Sequence, residues 1–220
     1  MAVATVFETH SLTTDNEAGL ATGWLDGRLS ERGRVLAAEL GRRRRNDGIR
    51  AVFTSDLGRA VQTVAVAFDG SGISVHLDAR LRECDYGAWN GMPVSHLERE
   101  RAQRISRPFP DGESYLQVVD RVAEFLEELA RDRDRARVLV VGHSATRWAL
   151  DHLLAGAALH DLVVAPFAWQ EGWSYALPAG WRRPGPGGRP GYPWELDRRS
   201  LWRNATTRGH RRGHAPGRWW

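Results

Sequence analysis

Short apolar runs alternate along this chain with segments in which apolar residues return at helical spacing, the signature of strands and helices in alternation. VATVF at 3–7 reads as a buried strand that delivers Glu8, Thr9 and His10 at its end. Ser30 stands before ERGRVLAAEL, where its hydroxyl can cap a helix over 30–40 with Val35, Leu36 and Leu40 on one face. A long polar loop separates this strand from this helix. IRAVFT at 49–54 reads as a second strand, a helix follows over roughly 57–68, and Ile73 to Leu77 is again strand-like. Over 115–131, Leu116, Val119, Val122, Phe125, Leu126 and Leu129 keep a helical period. VLVVG at 138–142 is apolar throughout, as expected of an interior parallel strand. Residues 145–155 are helical in pattern, and Phe167 to Leu177 reads as a strand pair or one long strand. The alternation predicts an α/β sheet with helices on both faces, whose ligands bind beyond the carboxyl ends of the strands.

From Pro178 the pattern breaks into a stretch dense in proline and glycine, which disfavours regular structure. The 220 residues are therefore expected to form one domain over 1–180 and a C-terminal tail over 181–220. All 31 basic residues are arginine, against 27 acidic residues. Ten of those arginines and only two acids lie in the tail, so residues 1–180 carry about −4 and the basic character of the chain belongs to the tail. That weakens an inference of nucleic-acid binding by the whole protein and leaves only contact between the tail and a polyanion. No apolar run approaches the length of a membrane span, and the stretch before Glu8 is too short for a signal peptide. A single cysteine, Cys84, excludes an internal disulfide framework and any multi-cysteine metal site. The expectation is a cytoplasmic globular protein with no membrane partner, for which a homodimer stays open.

The chemistry-bearing residues stand where strands are expected to end. His10 follows the first strand and His143 follows VLVVG. Arg59 falls in the first turn of the helix after Ser55, and Glu83 follows the strand-like segment through a short loop. Two histidines, a guanidinium and a carboxyl group supply a nucleophile, an anion clamp and a proton carrier, an inventory suited to phosphoryl chemistry. A histidine directly after a strand is also a common satisfied core group; repetition at equivalent strand ends is what favours a site here.

At these residues the sequence resembles the histidine phosphatase superfamily, which includes the cofactor-dependent phosphoglycerate mutases. FETHSLTTDN places His10 at the family's phosphorylated histidine and Asn16 at its asparagine. TGWLDGRLSERG, residues 22–33, is similar to a mutase-type segment, with Thr22, Gly23 and Arg28 on the substrate side. TSDLGRAVQT, residues 54–63, puts Arg59 at the phosphate-binding arginine, and LRECDYGAWNG, residues 81–91, puts Glu83 at the acid/base glutamate. VLVVGHSATR, residues 138–147, puts His143 at the second catalytic histidine. The resemblance implies a three-layer α/β/α sandwich with a mostly parallel central sheet, as in phosphoglycerate mutase. It implies a phosphohistidine mechanism without cofactor or metal, acting on a small phosphorylated substrate. Trp24, Arg28, Trp89 and Met92 are expected at the mouth.

Three positions depart from the family. Thr9 replaces the arginine before the nucleophile, Ser11 the glycine after it, and Ser144 the glycine after the second histidine. Thr9, Ser11 and Ser144 are accordingly expected to line the phosphate site. A guanidinium makes two charge-assisted bonds where a hydroxyl makes one neutral bond, and losing one oriented donor costs roughly 3 kcal/mol, about a hundredfold in rate. The implied activity is phosphomonoester hydrolysis: Cys84 stands where mutases carry an arginine, and Asp85 to Gly91 follows the phosphatase form. A mutase-type phosphotransferase and a weakly active or inactive phosphate-binding relative are the alternatives.

Overall fold

The computed structural model describes residues 2–133 and 135–184; the tail expected from 181 lies outside the described residues beyond Pro184. In chain order the elements are β1 (Ala2–Thr9), α1 (Thr14–Glu17), β2 (Leu20–Ala21), α2 (Glu31–Arg44), β3 (Ala51–Thr54), α3 (Gly58–Phe68), β4 (Ser74–Leu77), β5 (Met92–Pro93), α4 (Val94–Glu100), α5 (Tyr115–Asp132), β6 (Arg137–Gly142), α6 (Ser144–Ala155), α7 (Leu159–Val164) and β7 (Trp173–Pro178). The five-stranded sheet has the order β4-β3-β6-β1-β7. β4, β3, β6 and β1 are parallel, and β7 runs antiparallel on β1. The architecture is a three-layer α/β/α sandwich.

Handedness decides which helix covers which face. The connections from β1 to β3 and from β3 to β4 travel one way across the sheet, and the connection from β4 to β6 travels back. Crossovers of one hand then place α2 and α3 on one face and α5 on the other. The side chains of β6 obey this division. Leu139 and Val141 pack with Val6, Val52, Leu40, Val64 and Phe68 on the α2–α3 side. Val138 and Val140 pack with Phe7, Val122, Leu126 and Leu150 on the α5–α6 side. A strand buried on both faces has no polar side to show, hence its unbroken apolar run.

Capping fixes where the long helices start. The Ser30 hydroxyl accepts from the Gly33 amide at 3.1 Å, and Ser114 and Gln117 form a reciprocal capping box at the head of α5. The face of α2 differs from the one its larger side chains suggest. Val35 is 59% exposed, whereas Gly33, Ala37, Leu40 and Gly41 are buried. Close backbone approach is the reason: a Cβ on Gly33 would lie 1.9 Å from the Leu12 carbonyl oxygen, and one on Gly41 2.2 Å from that of Ala67. Leu116 is likewise exposed on α5.

Two further expectations are corrected. The loop after β1 contains α1 and β2, held by the Thr13–Asn16 capping box and by pairing of β2 with β5. Residues 167–172 form a loop, and only Trp173–Pro178 is a strand. Beyond β7, Trp181 packs against the α5–α6 core, and the Arg183 amide donates to Glu127 on α5. Among the described residues no helix is long and apolar enough to cross a membrane.

The α2–α3 contact yields a stability test. Gly41→Ala gains up to about 1 kcal/mol of helix propensity, but it must displace the Ala67 backbone, so urea denaturation is expected to show a net loss of about 1–2 kcal/mol. Val35→Ala, on the exposed face, is expected to change stability by less than about 0.5 kcal/mol.

Candidate active site

β3, β6 and β1 are neighbours and parallel, so their carboxyl ends open on one crevice, and each delivers a polar side chain there. Ser55 follows β3, His143 follows β6 and His10 follows β1. The register aligns Thr9 with Gly142, and the His10 amide donates to the Gly142 carbonyl at 2.8 Å. The two imidazole rings lie with centroids 5.0 Å apart. α3 begins just past β3 and turns Arg59 into the same space.

Hydrogen bonds set the tautomers. His10 Nδ1 is 2.7 Å from the Ser11 carbonyl oxygen; a carbonyl only accepts, so Nδ1 carries the proton and Nε2 the lone pair. Arg59 Nη2 lies 3.3 Å from His143 Nδ1. A guanidinium only donates, so His143 accepts at Nδ1 and gives its Nε2 proton to the Ser55 hydroxyl, 2.7 Å away. Both rings are neutral. Burial, with the Arg59 charge beside it, pushes the His10 pKa down to about 3. The same two causes hold His143 well below the ordinary histidine range.

Arg59 is 2% exposed. Nη2 donates to the Gly23 carbonyl at 2.7 Å and Nη1 to that of Leu25 at 3.4 Å. These partners are carbonyls and an imidazole, so the guanidinium is oriented with no carboxylate in ion-pair contact among the described residues; Glu83, Asp15 and Asp26 act on its charge only from a distance. Gly23 can serve because it has φ +55°, and a Cβ there would fall 1.8 Å from Asn90 Oδ1.

Glu83 completes the group. Oε1 accepts from the amides of Cys84 at 2.8 Å and Ala145 at 3.2 Å. Burial raises its pKa against those amides and Arg59. The buried carboxyl group therefore holds its proton to higher pH than an ordinary glutamate, and Oε2 is the oxygen left to carry it.

The remaining expected residues divide. Thr9 is buried at the end of β1 beside His10. The Ser11 hydroxyl donates to the Gly33 carbonyl at 2.6 Å and its amide to Thr63, tying the His10 loop to α2 and α3. Asn16 Oδ1 accepts from Thr13 in the cap of α1, and the Thr22 hydroxyl donates to Asp15 at 2.8 Å. Arg28 is exposed, and its carbonyl accepts from Thr14. Ser144 opens α6, half-buried. Trp89 packs against Phe109, His96 and Arg104, and Met92 pairs with Ala21 between β5 and β2. Ser55 was not singled out from sequence, although it stands after its strand as both histidines do. Arg121 gave no local signal: it lies in α5, and only the fold brings it to the Glu83 loop. Among the described residues no three histidine, cysteine, aspartate or glutamate side chains group closely enough to hold a metal ion.

Residues 8–167 match the histidine phosphatase superfamily, branch 1, and the chain belongs to that family. The Erwinia tasmaniensis protein named "Probable phosphoglycerate mutase GpmB" is 30% identical over 155 residues, 67% of this chain and 72% of that protein. Phosphoserine phosphatase 1 of Hydrogenobacter thermophilus is 29% identical over 158 residues, 68% of this chain and 75% of that protein. Among solved structures, the mycobacterial glucosyl-3-phosphoglycerate phosphatase superposes with TM-score 0.64 at 25% identity, covering 74% of this chain and 84% of that one. YhfR of Bacillus stearothermophilus gives TM-score 0.67 at 25% identity over 77% and 88% of the two chains.

The tautomers can be read directly. Imidazole ¹⁵N NMR is expected to show His10 neutral and protonated at Nδ1 throughout pH 5–8, and His143 neutral and protonated at Nε2 at pH 7. A His10 signal titrating near the ordinary pKa of about 6.5 contradicts the geometry.

Proposed function

We propose that the chain is a phosphomonoesterase acting through a phosphohistidine on a small phosphorylated metabolite. The observation that carries this reading is the buried, carboxylate-free Arg59 beside two neutral imidazoles and a protonatable Glu83. A buried cation of this kind is stabilised by an anion that enters the site. A phosphoryl dianion seated there meets Arg59 and also favours protonation of His143, which then adds a second cationic donor.

The steps balance with these groups. His10 Nε2 forms a bond to phosphorus while the bond from phosphorus to the ester oxygen breaks, and the Glu83 proton passes to the departing oxygen. The products are an alcohol, phosphohistidine and a Glu83 carboxylate. That carboxylate takes a proton from water, the hydroxide formed attacks phosphorus, and the bond to His10 breaks, releasing inorganic phosphate and restoring the starting enzyme. With Thr9 in place of an arginine, Arg59 supplies the permanent positive charge. Relatives in the family carry mutase and phosphatase names alike. Hydrolysis is favoured here because Cys84, buried and neutral, adds no charge next to Glu83 to hold a second anionic group.

Rapid-quench labelling with a ³²P phosphate ester tests the mechanism. Label is expected on His10 and then in free phosphate, with none on His10→Ala. Return of the label to an added alcohol or phosphoglycerate, rather than to water, identifies a phosphotransferase. Binding of esters with no adduct identifies the inactive relative.

The rate profile follows from the ionisations. The reactive form of His10 is deprotonated, and its lowered pKa keeps that form in place down to about pH 3. The reactive form of Glu83 is protonated, and its raised pKa extends that form to higher pH before it is lost. Between pH 4 and 9, kcat/KM, expressed per ester dianion because a phosphomonoester takes up a proton near pH 6, is expected to be flat on the acid side and to fall on the alkaline side. A fall towards acid with a midpoint near 6 that survives this correction assigns the nucleophile to an ordinary histidine instead.

A further inference from the structure

The backbone of Glu83 is held from two sides. Trp24 Nε1 donates to the Glu83 carbonyl oxygen at 2.7 Å, and Arg121 Nη2 donates to the same oxygen at 2.8 Å. Arg121 reaches across from α5. Its Nη1 donates to the carbonyls of Arg80 at 2.6 Å and Arg82 at 2.8 Å. Its Nε and Nη2 meet Glu113 Oε1 and Oε2, both at 3.0 Å. The Glu113 carboxylate in turn accepts the Asp85 amide at 3.0 Å. One guanidinium therefore ties the carbonyls of Arg80, Arg82 and Glu83 itself to a carboxylate that holds the chain just after Glu83. Trp24 is itself fixed: the Arg82 guanidinium stacks over its ring at 4.6 Å, and Arg82 is held by both oxygens of Asp56.

Three of the four carbonyls of residues 80–83 are taken by one side chain, on the stretch that carries the Glu83 carboxyl. That carboxyl is aimed by the Cys84 and Ala145 amides, and the aim holds only while the backbone on which it stands cannot rotate. Proton transfer is sensitive to such placement: a carboxyl group displaced by about an ångström loses a large part of its effect.

We propose that Trp24 and Arg121 are positioning residues for proton transfer, a two-sided clamp on the Glu83 carbonyl that places its carboxyl against the departing oxygen. Arg121 has a second effect, since its charge also favours the Glu83 carboxylate. Trp24 carries the geometric effect alone. The inference rests on the reading of Glu83 as the proton donor.

The clamp and a merely structural role differ in what they do to different leaving groups. A nitrophenolate departs without a proton, whereas an alkoxide needs one in the transition state. For Trp24→Phe, kcat/KM is expected to fall about tenfold for an alkyl phosphate, the cost of one oriented hydrogen bond, and less than about twofold for p-nitrophenyl phosphate. Arg121→Gln is expected to lose about a hundredfold on the alkyl ester, less than about fivefold on the nitrophenyl ester, and to move the alkaline limb to higher pH. Arg121→Lys, which keeps the charge but not the fork, is expected to restore the limb and only part of the alkyl rate. Equal losses on both esters with an unmoved limb overturn the proposal. Carboxyl ¹³C NMR of Glu83 serves as a readout without turnover: its pKa is expected to rise in Arg121→Gln and to stay in Trp24→Phe. A wild type that hydrolyses neither ester overturns the phosphatase reading, whereas an active wild type whose Trp24→Phe variant loses equally on both esters with an unmoved Glu83 pKa overturns the clamp independently of it.

Discussion

A guanidinium buried with no carboxylate against it is the constraint on which the rest of this site depends. Arg59 lies under the ends of three parallel strands, and carbonyls of Gly23 and Leu25 orient it without cancelling its charge. Burial of a cation costs several kcal/mol unless something answers it. Burial first, and the Arg59 field second, hold both imidazoles neutral, while on Glu83 burial raises the pKa and the same field opposes the rise. Burial and this one charge together leave a basic nitrogen on His10 and an accepting nitrogen on His143, and the Glu83 carboxyl holds its proton against the charge by burial alone.

The fold is arranged to bear that cost. The core on both sheet faces is apolar and continuous, and the polar groups of the site are spent on each other or on backbone. Ser11 binds the His10 loop to the Gly33 carbonyl, which the missing side chain of Gly33 allows to lie close. A second buried acid shows the contrast with Arg59. Glu8, two residues before His10, is fully paired by Arg44 at 2.8 Å and Arg43 at 3.5 Å. There the charges cancel inside the protein; at Arg59 they await an anion.

The relation to known proteins follows the same division between scaffold and site. Family membership extends over residues 8–167, and the relatives with mutase and phosphatase names share the frame. What differs here is local. Thr9 stands where the family has an arginine, and Cys84 is a buried neutral group. Arg59 carries the buried positive charge beside the two imidazoles, and the carbonyl of Glu83 is held by Trp24 and Arg121.

Much of the sheet was legible in the sequence, because an interior parallel strand must be apolar on both faces and VLVVG and VATVF have no other use. His10, Arg59, Glu83 and His143 were legible as residues, since each sits in a motif of its own at a strand end or helix start. The face of α2 was not: Val35 is the larger side chain, but the close approach of the Leu12 and Ala67 backbones selects Gly33 and Gly41 instead. Nor was the loop at 167–172: the pattern predicts strand over 167–177, and only Trp173–Pro178 pairs with β1. Asn16 and Arg28 matched family positions, yet the structure uses the first as a helix cap and leaves the second exposed. Sequence by itself determined which elements form and which chemical groups stand at their ends, because those depend on patterns a few residues long. Tertiary structure alone decided the His143 tautomer, the neutral state of the imidazoles and the clamp from Arg121, because each depends on groups dozens of residues apart or on burial, which exist only once the sheet and its helices have closed around them.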